Sequence, residues 1–368
     1  MNKHNKKICI ICTSLNHGGA ERASAIQSIM FQELGHQVFI VTVESGIAYN
    51  YSGNVFDLGV YKYKKNSQFG RISRLIKFKR FLNKHKFDLI VDNRPRNSAY
   101  RELLITKFIY NLPTIYVIHS FEATIAFNKY KWLNKYLYSN ANMVCVSKTG
   151  TKKFKELYAL KNVHTIYNAF NYDEIKRQSE EEVSLRLGDY IIYYGRIQDK
   201  SKNLRLLLES YNSSRLKERK VKLLILGDGE DTDLLKTLSE QLGLKYFVKI
   251  IGFSKNPFPY VKNALFTVLT SRSEGFAMVI PESLSLGTPV ISVDCEAGPK
   301  EIIQHQFNGL LVENHNPEAL AKAFDTFIED EELYQFCKKN AKNDIDQFSI
   351  KKISKDWQVL FEKIPKPV

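Results

Sequence analysis

Glu274 and Glu282 stand eight positions apart in Ser-Arg-Ser-Glu-Gly-Phe-Ala-Met-Val-Ile-Pro-Glu-Ser-Leu, the stretch from Ser271 to Leu284. The Val-Leu-Thr before it has the apolar character of a buried strand's last residues. Pro281 and Glu282 open an apolar run that Gly287 and the Thr288-Pro289 pair close. Pro in a first turn with Gly past the last one brackets a helix. One carboxylate is therefore expected on a strand-to-helix loop, the other in a helix's first turn, where unpaired backbone amides can receive an anion. Two cations fall in a comparable place. Arg196 follows Tyr194-Gly195 at the end of one strand, and Lys202, with Lys200 as its rival, begins the next helix. His119, directly after Tyr116-Val117-Ile118, is a third strand-end candidate. Side chains at such strand ends face the crevice where parallel sheets bind ligands. Gly18-Gly19 opens a helix after the first strand, and paired glycines there let backbone approach a ligand closely.

Positioning these residues requires parallel sheets. Short β-branched runs alternate with helical periodicity from end to end, the pattern of strands joined by crossover helices. Strands are predicted at 7–13, 37–43, 88–92, 114–119, 143–146 and 163–166, with a helix at 20–34 closed by Gly35. The alternation restarts at 190–194 and continues at 221–226, 248–251, 265–269, 289–293 and 309–312. A chain of 368 residues is long for one domain, and 44% hydrophobic with 12% aromatic residues is ample for packed cores. The expected architecture is α/β: two Rossmann-like domains whose parallel sheets face each other across a cleft. The first spans 1–172, a charged linker spans 173–189, and the second spans 190–349. The last segment, 350–368, contains an amphipathic helix carrying Trp357, Leu360 and Phe361.

Glu-Gly-Phe at 274–276 and Pro-Glu-Ser-Leu-x-x-Gly-x-Pro-Val-Ile from Pro281 resemble the Glu-x7-Glu motif of retaining glycosyltransferases of family 4. These group 1 glycosyltransferases have the GT-B fold. Gly-Gly-Ala-Glu-Arg at 18–22 is similar to the family's N-terminal loop. Gly195-Arg196 with Lys202-Asn203 is similar to its Gly-Arg-x4-Lys-Gly/Asn pattern, here with one extra residue. The resemblance covers nearly the whole chain and is densest over 190–305. It implies that Glu274 holds hydroxyls of the donor sugar and Glu282 the nucleotide ribose. The amides of Ala277, Met278 and Val279, after Gly275 and Phe276, would lie against the diphosphate. Arg196 and Lys202 would stabilise the departing diphosphate, and His119 would contact the sugar. Gly18, Gly19, Gly227, Gly252 and Phe253 would border the nucleotide-sugar. Arg22 fits a helix-surface charge as well as a ligand, and Asn168 a turn residue as well as a site residue. The implied activity is transfer of a hexose or N-acetylhexosamine from a nucleotide-diphospho-sugar, with uridine the commonest base. The acceptor would be a saccharide or lipid-linked saccharide in capsule, O-antigen, lipopolysaccharide or wall-polymer assembly. In GT-B enzymes the terminal helix crosses back onto the first domain, which is expected of 350–368.

Charge and cysteine usage bound the partners. Residues 1–170 hold 26 Lys and Arg against 9 Asp and Glu, while the remainder holds 28 against 30, so the whole net charge of +15 lies in the first half. Between Lys62 and Lys86, ten basic residues and no acid are interleaved with Tyr and Phe, which suits an anionic membrane surface. No recognition motif accompanies that charge, so a nucleic-acid partner is not expected. No apolar run is long enough for a signal peptide or a membrane span, and a cytoplasmic protein peripheral at the inner face of the membrane is expected. The five cysteines, an odd number set mostly in apolar runs, read as buried thiols, including the Cys9-x-x-Cys12 pair inside a strand. Asp231-Thr232-Asp233 matches the Asp-x-Asp metal signature of GT-A transferases, but Asp231 stands where a helix N-cap is due. No other cluster has metal spacing, so neither metal nor cofactor is expected beyond the nucleotide-sugar co-substrate. The rival to a transferase is an epimerase of the same architecture, which would interconvert the donor with no acceptor present.

Overall fold

The computed structural model describes residues 5–16, 18–62, 68–182 and 187–364. They form two compact units: the chain up to Ala169 together with the segment from Ile350, and Phe170–Ser349.

The first unit is built on seven parallel strands, β1 (Lys7–Cys12), β2 (Gln37–Thr42), β3 (Asn54–Asp57), β4 (Leu89–Asp92), β5 (Thr114–Ile118), β6 (Asn142–Cys145) and β7 (Asn162–Thr165). Their order is β3-β2-β1-β4-β5-β6-β7. β1 is an interior strand covered on both faces, so it is apolar at every position from Ile8 to Ile11, as parallel strands require. Ile10 sits opposite Ile40 of β2 on one side and Val91 of β4 on the other. The Asn-Val-Phe-Asp of β3 was not expected as a strand. It is a short, half-exposed edge element whose two apolar residues give no period to read. A layer of helices closes one side of the sheet: Phe78 and Leu82 of the Gln68–His85 helix share a core with Ile105, Ile109, Leu133, Leu137 and Phe154. The helix Ile350–Lys363 belongs to this unit. Trp357 and Phe361 pack edge-on against Phe31 at 5.2 and 4.9 Å, and Lys6 Nζ donates to the Ile364 carbonyl at 3.1 Å.

The second unit has six parallel strands, β8 (Tyr190–Tyr194), β9 (Lys222–Leu226), β10 (Val248–Ile251), β11 (Thr267–Leu269), β12 (Val290–Val293) and β13 (Gly309–Val312). They run in the order β10-β9-β8-β11-β12-β13. The charged segment 173–189, read as a linker, is corrected. Tyr172–Ser179 is a helix of this unit, opened by Asn171, whose side chain accepts from the Glu174 amide. Asp173 and Glu174 in its first turn and Lys176 and Arg177 in its last complement the helix dipole. Ile175 alone supplies the large apolar residue of its buried face, so the composition looked like a linker's. Residues 183–186 of that segment lie outside the described residues, as do His17 and residues 63–67 of the basic run.

In both sheets the chain grows outward on one side of its first strand and then restarts on the other. The reversals fall between β1 and β4 and between β8 and β11. At such a reversal the loops leaving two neighbouring strands diverge, opening a crevice at the carboxyl ends.

Candidate functional site

In the second unit the reversal is lined by the segments that leave β8 and β11. After β8 the chain passes Gly195 and Arg196 into a short helical turn, Asp199–Lys202, then through Asn203 in the left-handed region (φ 52°) into Leu204–Ser213. The segment after β11 is stitched to this turn by three hydrogen bonds. Thr270 Oγ1 donates to the Lys202 carbonyl at 2.8 Å, the Arg272 amide to the Ser201 carbonyl at 2.9 Å, and the Arg272 guanidinium to Asn203 Oδ1 at 2.7 Å. That stitching aims Lys202 at Glu274, whose carboxylate accepts from its ammonium at 2.6 Å. The two side chains are 25% and 14% exposed, so the pair is sheltered but reachable. Lys200 is exposed and has no side-chain partner among the described residues, so Lys202 is the lysine that meets Glu274. Arg196 is likewise exposed.

Beyond Glu274 the loop turns through Phe276 and Ala277 into the helix Val279–Ser285. Ala277 holds φ 56°, a left-handed conformation that costs a residue with a Cβ about 1 kcal/mol or more. Phe276 is buried and packs edge-on against Phe348 at 5.2 Å, which anchors that turn. Gly298 (φ 94°), after β12, lies so close that a Cβ there would stand 3.4 Å from both the Glu274 Cβ and the Phe276 carbonyl carbon. Glu282 is in the helix's first turn as expected, but it is only 1% exposed. Tyr194 Oη donates to the Val279 carbonyl at 2.8 Å and lies 3.3 Å from Glu282 Oε2, tying the end of β8 to the start of this helix.

The loops after β8 and β9 touch backbone to backbone. The amides of Gly195 and Ile197 donate to the carbonyls of Leu226 and Asp228, and a Cβ on Gly227 would fall 1.8 Å from the Gly195 carbonyl oxygen. Gly252 and Phe253 come after β10, two strands out from β8 at the sheet's edge, and both are exposed. Asp231 stands at the N-cap position of the helix Thr232–Gln241 but does not cap it. Its carboxylate accepts instead from the Asp199 amide at 2.7 Å, holding the start of the Lys202 turn.

The first unit has strand-end residues of its own. Gly18 precedes the helix Gly19–Glu33 after β1, and its amide donates to Tyr49 Oη at 3.2 Å. His119 comes directly after β5. Its Nε2 is 2.7 Å from Asn93 Oδ1, and Asn93 Nδ2 donates to Gln27 Oε1 at 2.8 Å. Because Asn93 presents an oxygen, Nε2 carries the proton and Nδ1 is left as an acceptor. That Nδ1 is buried and has no partner among the described residues. Burial, reinforced by the Arg96 guanidinium, pushes the His119 imidazole down to about 3, so it is neutral at every physiological pH.

The Asp-Asn-Arg-Pro-Arg at the end of β4 was not singled out from the sequence, and it supplies the support for His119. Arg94 binds Asp92 in a fully buried ion pair (2.6 Å) that Tyr110 Oη joins at 2.9 Å, and Arg96 donates to the carbonyls of Arg94 and Val117. Burial raises Asp92, but Arg94 outweighs it and holds the carboxyl below the usual range. A run of charged and amide residues at the carboxyl end of a buried strand was the available signal.

The five cysteines are buried free thiols. Among the described residues no group of three His, Cys, Asp or Glu is placed to hold a metal ion, and no helix is long and apolar enough to cross a membrane.

Glycine loops, a strapped lysine–glutamate pair and a helix start thus lie at the carboxyl ends of parallel strands, where α/β sheets bind ligands. Comparison with known proteins decides the family. A model of the glycosyl transferases group 1 matches residues 156–344, just over half of the chain, and one described as Glycosyltransferase Family 4 matches residues 17–174. The chain belongs to the group 1 glycosyltransferases. This glycosyltransferase is 28% identical over 367 residues to an N-acetylgalactosamine-N,N'-diacetylbacillosaminyl-diphospho-undecaprenol 4-alpha-N-acetylgalactosaminyltransferase of Campylobacter jejuni, covering 95% of this chain and 98% of the relative. It is 30% identical to an uncharacterised glycosyltransferase of Methanocaldococcus jannaschii, covering 76% of this chain and 72% of that one. The GT-B α/β fold is shared with Anabaena HepE, solved with UDP and glucose, at a TM-score of 0.78 and 19% identity, covering 98% of this chain and 100% of HepE. The glycosyltransferase is thus an enzyme built of two Rossmann-like units.

Proposed function

We propose that the protein moves a hexose or N-acetylhexosamine from a UDP-sugar onto a saccharide or lipid-linked acceptor in cell-surface polysaccharide assembly. Transfer retains the anomeric configuration and uses no metal ion. The observation that carries the reading is the 2.6 Å Lys202–Glu274 pair at the strand-order reversal of the second unit. A group that meets anions and a group that meets hydroxyls stand one hydrogen bond apart, which suits a sugar joined to a diphosphate. Support for UDP comes from HepE, whose complex holds UDP and glucose. Support for a lipid-linked acceptor comes from the C. jejuni relative, named for a diphospho-undecaprenol saccharide.

Lys202 and Arg196 offset the charge that gathers on the departing diphosphate oxygen as the anomeric C–O bond breaks. Lys202, held by Glu274 before reaction, does this without reorganising solvent. The acceptor oxygen bonds to the same face of the anomeric carbon, and its proton passes to that diphosphate oxygen. Glu274 accepts from sugar hydroxyls, Glu282 from the ribose, and His119 Nδ1 from a hydroxyl of the donor. The amides of Ala277, Met278 and Val279 lie against the diphosphate, and Gly18, Gly19, Gly227, Gly252 and Phe253 border the nucleotide-sugar. The protein works at the cytoplasmic face of the membrane, where residues 62–86 contribute a basic contact. The exposed Ile72 and Ile76 of the Gln68–His85 helix support that contact.

The test offers purified protein UDP-glucose, UDP-galactose and their N-acetylamino forms in EDTA, first by thermal shift and then by hydrolysis and transfer. An α-linked product from an α-configured donor is expected. An inverted product, a strict requirement for a divalent ion, or interconversion of the UDP-sugar without acceptor overturns it.

A further inference from the structure

The exposed large apolar side chains are unevenly spread. Of seventeen such residues among those described, thirteen lie in the first unit, which also carries the whole positive excess. They are densest where the helix Lys131–Tyr138 meets the turn Ile105–Ile109. In Lys-Trp-Leu-Asn-Lys-Tyr-Leu-Tyr, the second pair of each quartet (Leu133, Asn134, Leu137, Tyr138) is buried. The first pair (Lys131 with Trp132, Lys135 with Tyr136) points outward, with Trp132 68% and Tyr136 62% exposed. Residues four apart stack on one face of a helix, so the two rings and the two ammonium groups form parallel stripes. The neighbouring turn buries Ile105 and Ile109 and turns out Lys107 and Phe108, the latter 64% exposed. Lys107 Nζ stands 4.3 Å from the Tyr136 ring centre, which joins the two elements into one patch.

We infer that this patch is a membrane-docking surface that seats its rings among the headgroups of anionic phospholipids, separately from residues 62–86. It deepens the membrane contact named above and rests on that reading only for its biological setting. Charge complementarity selects the occupant. From Ala123 to Lys155 the sequence has no Asp or Glu, and Glu102, the one acid in the neighbouring helix, is fully buried against Arg94 and Arg101. A second copy docked through this face would set lysines against lysines with no carboxylate to meet them. A lipid surface offers anions in any register, and Trp, Tyr and Lys, each with an apolar body and a polar tip, are suited to headgroup depth.

Trp132 makes the proposal directly testable, since the chain has two tryptophans and the other, Trp357, is 2% exposed. Full-length protein is mixed with vesicles of phosphatidylcholine alone or with about 30% phosphatidylglycerol, the phosphatidylcholine brominated on its acyl chains. With phosphatidylglycerol present, the wild-type emission is expected to shift to the blue and be quenched, and Trp132→Phe to lose the quenching while still sedimenting with vesicles. Trp132→Ser with Tyr136→Ser should lower partitioning at least tenfold, and Lys131→Ser with Lys135→Ser should lower it about fivefold per lysine and only on the anionic vesicles. Arg71→Ser with Lys79→Ser reports the basic segment separately. Hydrolysis of a UDP-sugar in solution, unchanged in these variants, shows that they fold and that transferase chemistry stands whatever the vesicles report. Unquenched Trp132 on vesicle-bound protein overturns the inference, as does full partitioning of the Trp132→Ser, Tyr136→Ser variant. A dimer of the wild type that this variant dissolves assigns the face to a second copy and overturns it equally.

Discussion

Lys202→Met and Glu274→Gln should lower turnover alike yet move UDP affinity in opposite directions. The 2.6 Å bond places the lysine between the carboxylate and any anion it grips. An anion on the far side of that ammonium stands roughly 5.5 Å from the carboxylate, and at an effective dielectric of about 20 the two repel by about 3 kcal/mol. Side-chain exposures of 25% and 14% admit enough solvent to reduce this to about 1–1.5 kcal/mol. Glu274→Gln should therefore tighten UDP binding about tenfold, whereas Lys202→Met should weaken it by at least that much. Turnover falls in both, by about 10²–10³ for Lys202→Met, the cost of losing one fixed donor to a developing oxyanion. Stability should respond far less, by about 1–2 kcal/mol, or a few degrees in a unit of this size. Calorimetric titration of UDP and single-turnover transfer measure the two effects. Should UDP affinity shift the same way in both variants, or Lys202→Met stay within threefold of wild-type turnover, the assignment of the pair fails.

The histidine gives a pH prediction. Its folded value, about 3, lies below the unfolded value of about 6.5, so between those limits the unfolded chain takes up a proton that the folded one refuses. Stability is lost as pH falls from about 6.5, by about 2 kcal/mol at pH 5, and denaturation at pH 7.5 and 5 should show His119→Gln flattening that dependence. An unchanged pH dependence in the variant contradicts an imidazole held neutral by the fold. Gly227→Ala should cost at least about 2 kcal/mol and abolish UDP binding, because its Cβ would enter the Gly195 carbonyl, while Gly252→Ala, with open space around it, should melt as wild type. Asp231→Ala should lose about 1 kcal/mol by freeing the Asp199 amide, and its residual transfer should be as insensitive to EDTA as that of the wild type.

The six strands of the second unit were legible because each is a short apolar run set off by polar or glycine-bearing turns. The Lys202–Glu274 meeting was legible only through family resemblance, since 72 residues separate the two. What sequence reasoning missed was polar and local. Asn93 and Gln27 carry no motif, and their role appears only when β4 and β5 are paired and the Gly19–Glu33 helix is in place beside them. Asp231 was read as capping the helix it precedes, because a carboxylate at that position usually finds an amide in that helix's own first turn. The amide it actually meets comes from the β8 loop, which Gly227 and Gly229 let approach: a Cβ on Gly229 would fall 2.0 Å from the Ile197 carbonyl oxygen. The segment 173–189 misled for a different reason: a helix with one buried isoleucine satisfies its dipole and its packing with very little hydrophobicity.

The first unit is completed by a segment that follows the whole of the second in sequence. Lys6 and the Ile364 carbonyl, bonded to each other, are 358 positions apart, and Phe31 meets the rings of both Trp357 and Phe361. On the ribosome, that phenylalanine and its helix must wait uncovered while all of Phe170–Ser349 is synthesised. The order of synthesis thus puts the whole of the second unit ahead of the first unit's closure.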